Sequence, residues 1–168
     1  MEKNDFPNSN STLRLKEKMF DKESDLVEEF ILATSQKTPF LIRKIAKEFY
    51  YLSGRIDLIA RNKSKRLYSF EAKLKQWKIA VHQAFKNTSL SHFSYVLLPY
   101  NVANSVVKFK SDFIEKRIGL ATIEDGRIKI LIAAPYNNPI QPWLTESAFL
   151  YLDMECHATS ESFSGSSR

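Results

Sequence analysis

The chain has a single cysteine, Cys156, so it can form no internal disulfide and build no cysteine-based metal site. Such sparing cysteine use fits a reducing compartment. Only four glycines occur, and no P-loop, Gly-rich phosphate cradle or zinc-finger spacing is present. His82 and His92 are not at a helical metal-ligand spacing and read as structural or surface residues. No apolar run approaches the ~18 residues of a membrane helix. The opening "MEKNDFPNSNSTLRLKEK" lacks the apolar centre of a signal peptide. A soluble, cytoplasmic protein with no membrane partner is expected. No internal repeat is visible.

What the chain does have is enough apolar character, 43%, to build a core for one domain. Residues 1–20 are polar and read as a flexible lead-in, and 21–153 as one domain. Residues 154–168, ending "HATSESFSGSSR", read as a disordered Ser-rich tail. Basic residues number 25 against 19 acidic ones, a net +6 that favours a polyanionic partner such as nucleic acid.

Hydrophobic spacing gives the element order. In "ESDLVEEFILAT", Leu26, Val27, Phe30 and Ile31 recur as on one helix face. A break at Pro39 precedes three strands: "FLIRKIAKEFYYL", "RIDLIAR" after a Ser53-Gly54 turn, and "RLYSFEAKL" after the polar "NKSK". "KQWKIAVHQAFKN" returns to helical spacing, with Trp77 in its apolar stripe. "FSYVLLP" is nearly all apolar, as suits a strand buried on both faces. A helix over 101–116, a hairpin turning at Asp125-Gly126 and a late helix around "WLTESAFLYLDM" complete the chain. The expected class is α/β: an α-β-β-β-α-β core with a central mixed sheet flanked by helices, then a helix, a hairpin and a helix.

The charged residues inside the second hairpin carry the chemistry. A turn centred near Ser64 places Asp57 opposite Glu71, and alternation puts Lys73 on the face of Glu71. Two carboxylates so close repel unless one is protonated or a cation lies between them. Mg²⁺ or Mn²⁺ would remove the conflict, with the Ala72 carbonyl as a further oxygen ligand. Lys73 could then orient a water or neutralise charge on a phosphate. The plain alternative is an ion pair of Lys73 with either acid.

With "GRIDLIA" followed by "EAK" at Glu71 to Lys73, residues 23–99 resemble the PD-(D/E)XK nuclease superfamily, whose core is restriction-endonuclease-like. The Pro that gives the pattern its first letter is replaced by Ile56. The resemblance implies a metal-dependent endonuclease acting on DNA, a site of Asp57, Glu71 and Lys73, and often a homodimer. It further implies a first-helix Glu facing the site. Glu23 suits by spacing, unless it belongs to the helix cap; Glu28 and Glu29 compete. Gln83, ten positions after Lys73, would reach the site or the DNA backbone. Arg61, Lys63, Lys65 and Arg66 around the hairpin connection, with Lys75 and Lys78, become candidate phosphate contacts. A non-catalytic nucleic-acid-binding module, or an accessory subunit using residues 100–168, is the alternative on the same fold. Glu48 stands nearby as a strand-edge acid outside the main set.

Overall fold

The computed structural model describes residues 19–36, 38–155 and 157–158. Cys156, the lead-in up to residue 18 and the tail from 159 lie outside the described residues. A seven-stranded mixed sheet runs in the order β6-β5-β4-β3-β2-β1-β7. Its strands are β1 (Ile42–Tyr51), β2 (Gly54–Asn62), β3 (Leu67–Ala72), β4 (Phe93–Leu97), β5 (Gly119–Glu124), β6 (Arg127–Ile132) and β7 (His157–Ala158). The helices are α1 (Glu23–Thr34), α2 (Trp77–Asn87), α3 (Tyr100–Val106), α4 (Lys110–Glu115) and α5 (Pro142–Glu155). β1 to β3 form an antiparallel meander, and β3, β4 and β5 are parallel.

Alternation along the strands divides the core. On one face α1 sets Leu26, Val27 and Phe30 against Leu58, Ala60, Phe70, Tyr95 and Leu97. The opposite face carries α2, α3 and α4 over Val96, Leu98 and Leu120, with α5 over Ile56, Ile59 and Leu67. β4 is therefore enclosed from both sides, as its nearly all-apolar run requires. Trp77 is partly buried and stacks on Phe109 at 5.2 Å and Phe113 at 6.1 Å, joining the core as its spacing suggests.

Two segments differ from the sequence reading. The helix expected over 101–116 is interrupted by a 3₁₀ turn at Val107–Phe109. Val106 and Val107 are adjacent β-branched residues, which are poor helix formers, and the chain tightens there. Residues expected in a tail from 154 belong in part to the fold: α5 continues to Glu155, and His157–Ala158 pair with Ile45 and Lys44 at the edge of β1. Main-chain hydrogen bonding at an open sheet edge, which sequence pattern does not reveal, supplies the partner.

The β5–β6 turn is as expected, with φ 51° at Asp125 and 71° at Gly126, the left-handed pair of a type I′ turn. Gly119 has a different necessity. A Cβ there would lie 2.3 Å from the Tyr95 ring and 2.7 Å from the Ala134 nitrogen. That nitrogen donates to the Tyr95 hydroxyl at 3.1 Å, so the backbone at Gly119 must pass close beneath this contact. Gly119→Ala is expected to cost about 3 kcal/mol, the upper part of the range for overpacking. A urea midpoint displaced at constant slope would show it.

Candidate active site

The site is built where the central strands part. The β2–β3 ladder runs from Arg61↔Leu67 to Leu58↔Phe70, so Asp57 and Glu71 are the next facing pair, as the Ser64-centred turn requires. Pairing stops there. The Ala72 N–H donates instead to Asp57 Oδ2 at 3.0 Å. Across β1, Glu48 falls opposite Asp57, between the pairs Lys47↔Leu58 and Phe49↔Ile56. Glu48 has φ 56°, a left-handed conformation uncommon for a residue with a side chain. Alternation breaks at this point: Ala46 and Phe49 face α5 together, as do Ile56 and Ile59. Ile45, Leu58 and Ala60 face α1.

That break corrects the expectation that Asp57, Glu71 and Lys73 share one flat face. Glu71 is 1% exposed and points to the α2 side, where Asn87 Nδ2 donates to its Oε1 at 2.6 Å. Asp57 and Ala72 open into a cleft of about 350 Å³ on the α1 side, lined also by Glu23, Glu28, Lys47, Glu48 and Arg55. Lys73 lies just past the end of β3, and its Nζ reaches Glu23 at 2.8 Å. The groups meet around the end of the sheet rather than on one side of it. The charge of Asp57 acts on Glu71 across that end.

The electrostatics at this end are lopsided. Burial, then the charge of Asp57, pushes the Glu71 carboxyl up to about 8, against the opposing pull of Asn87 and Lys73. Its Oε2 is buried with no hydrogen-bond partner, and so is Oε1 of Gln83, which lines the same small cavity. Asp57 is better supplied: Arg55 donates to its Oδ1 at 3.2 Å and to Glu48 Oε1 at 3.3 Å.

Among the first-helix acids, Glu23 is the one that meets Lys73. It is not the cap, because Asp25 accepts the Lys22 N–H at 3.1 Å. Glu28 also lines the cleft but pairs with Lys47. Among the described residues, no three His, Cys, Asp or Glu side chains gather as a metal-holding group. His92 is internal: burial, then Arg66, lowers its pKa, and its Nδ1 accepts the Leu67 N–H at 2.9 Å.

The basic candidates separate into two places. Arg61, Lys63, Lys65 and Arg66 surround the β2–β3 turn, beginning four strand positions or about 13 Å from Asp57 at a normal strand rise. Arg61 is held there by Asp153 at 2.9 Å, and Arg66 lies over the Tyr136 ring at 5.2 Å. The structure does not bring these four to the site, because an antiparallel hairpin keeps its turn and its open end apart. Lys75 and Lys78 follow Lys73 into α2, at the site end of the sheet.

Arg55, Asn87 and Tyr51 belong to the site, although the sequence reading did not select them. Arg55 is two positions before Asp57 on the same strand, and Asn87 is four after Gln83 on the same helix. Strand and helix periods could have found both. The Tyr51 hydroxyl is 3.5 Å from Asn87 Oδ1, a contact that only the fold creates.

No protein-family model matches the chain, and no curated protein matches it. Among solved structures it is similar to a protein of unknown function from Silicibacter pomeroyi, at 12% identity and a TM-score of 0.49. The match covers 66% of this chain and 71% of that one.

Glu71 makes stability depend on pH. Unfolded, its carboxyl loses a proton near 4.5; folded, near 8. The folded state binds the extra proton between those values, so its stability is full below 4.5 and declines as pH rises toward 8. The loss is up to about 1.4 kcal/mol for each pH unit crossed. Glu71→Gln should abolish this decline and exceed the wild type in stability at pH 9. Urea unfolding in EDTA at pH 5, 7 and 9 measures both curves.

Proposed function

We propose that the chain is a metal-dependent endonuclease that hydrolyses phosphodiester bonds in DNA, on a core like that of restriction endonucleases. One observation carries the reading. The Glu71 carboxyl is buried against a second carboxyl, Asp57, and no N–H donor reaches its Oε2, so it resists ionising. A buried acceptor in that condition is costly, and a cation relieves both the missing partner and the repulsion.

The donors fit Mg²⁺ or Mn²⁺, since all are oxygens: Asp57, Glu71 and the Ala72 carbonyl. Such an ion would supply an activated water and offset charge on the phosphate. The chain's own part is positional. Glu23 holds the Lys73 ammonium at the mouth of the cleft, where it can orient a water or meet a phosphate oxygen. Asn87 fixes Glu71 by one oxygen and leaves the other available. Gln83 adds a further oxygen beside Glu71 as an accessory group.

A second reading is favoured by Arg55. It already pairs with Asp57, whose other oxygen accepts from Ala72, so that acid is satisfied without an ion. A non-catalytic nucleic-acid-binding module or accessory subunit would have this form. It would bind DNA without metal uptake or product.

Supercoiled plasmid incubated with Mg²⁺ or Mn²⁺ separates the two. The proposal expects nicking that EDTA abolishes and that Asp57→Ala and Lys73→Ala each reduce by about a hundredfold or more, as for loss of a transition-state contact. No cleavage with intact DNA binding would support the second reading. Nicking unaffected by either substitution would remove this site from consideration.

A further inference from the structure

The distribution of acid along the chain is uneven in a way that composition hides. Between Glu71 and Asp112 there is no acidic residue, while Lys73, Lys75, Lys78, Lys86, Lys108 and Lys110 all fall there. That stretch forms α2, β4, α3 and the 3₁₀ turn, so the fold gathers it on one face of the sheet.

Helical geometry aims these cations outward. α2 buries Ala80, Val81 and Ala84 and exposes Lys78, Ile79, His82, Phe85 and Lys86. The exposed set recurs at i, i+1, i+4, i+7 and i+8, a single stripe opposite the buried one. Lys78 lies over the Trp77 ring at 5.7 Å, and Lys108 over Phe109 at 5.2 Å. Those two rings are themselves stacked, which brings α2 and the 3₁₀ turn together as one surface.

Several cations elsewhere are matched by carboxylates. Among the described residues, carboxylates pair with Lys44, Lys47, Arg55, Arg61, Lys73 and Lys129, and none of the ion pairs involves Lys75, Lys78, Lys86, Lys108 or Lys110. This face thus keeps its charge available to a partner. It begins beside Lys73 at the site and extends along α2 for about 12 Å between Lys78 and Lys86, at the rise of a helix.

We infer that the outward face of α2, with the adjoining 3₁₀ turn, is the surface on which a nucleic-acid duplex lies, and that the β2–β3 turn is not. A duplex presents a negative charge about every 1.7 Å of its axis, matching a cationic stripe with no acid among it. An anionic membrane fits less well. Membrane-surface helices insert a broad apolar face; the buried stripe of α2 is spent inside the core, and its outward face keeps only Ile79 and Phe85 among Lys78, His82 and Lys86. The inference takes DNA as ligand from the function proposed above. Binding is therefore measured without metal, so that docking and cleavage fail separately.

The test uses the full chain and a fluorescently labelled 20-base-pair duplex in EDTA over a series of KCl concentrations. Combined Lys78→Ala, Lys86→Ala and Lys108→Ala should weaken binding at least tenfold at low salt. It should also flatten the plot of log affinity against log salt by about 0.9 per lysine removed. Alanine at these exposed helix positions favours the helix, and unchanged circular dichroism verifies the fold. Undiminished binding by this variant overturns the inference. So does an equal loss from Lys63→Ala with Lys65→Ala, or binding to phosphatidylserine vesicles with none to the duplex. Lysine-dependent binding with no nicking in Mg²⁺ would sink the catalytic reading and leave this one standing.

Discussion

The meeting of two carboxyls at the open end of a hairpin is the constraint on which this molecule turns. Glu71 is closed off from water, bonded to Asn87 through one oxygen and left without a donor on the other. Asp57 adds repulsion. Burial and Asp57 together disfavour the ionised form of this carboxyl. The surrounding network nevertheless holds it in place. Ser94 donates to the Ala84 carbonyl and Ser91 to that of Asn87, fastening α2 to β4 and the loop before it. Asn87 is thereby held in position to bond Glu71.

The second feature is the backbone at Glu48. Its left-handed conformation lies opposite Asp57, where the strands change the face they present. Strain of this kind persists only where the surroundings enforce it, and it often marks a working site. Beside Glu48, Asp57 enters the α1 cleft, while Glu71 remains on the α2 side. Arg55 then spans Asp57 and Glu48 and holds the kinked strands together from the cleft side. The site is therefore reached from both layers, with Lys73 and Glu23 on one side and Gln83 and Asn87 on the other.

Charge is organised on a larger scale. Acids concentrate on α1, around the site and along α5, whereas the face formed by α2 and the 3₁₀ turn is free of them. Asp153 of α5 is drawn below its ordinary range by Lys44 and Arg61, so those cations serve the fold. A cation already matched by a carboxylate has less to offer a polyanion.

Much of the plan was legible in the chain. Apolar period together with turn signals located α1, α2, α5 and the first six strands and merged α3 and α4 into one helix, because burial on one or both faces leaves a repeat along the chain. The centre of the "NKSK" turn set Asp57 against Glu71, since antiparallel register is an arithmetic consequence of where the turn lies. Other facts had no local trace. β7 depends on a free sheet edge, the kink at Glu48 on packing between two layers, and the partners Arg55 and Asn87 on strands and helices brought together from afar. Sequence thus determined which groups stand near the hairpin's end. The tertiary structure alone decided which layer each side chain enters, because the alternation on which any reading along a strand relies breaks at Glu48 on β1 and between Ile56 and Leu58 on β2.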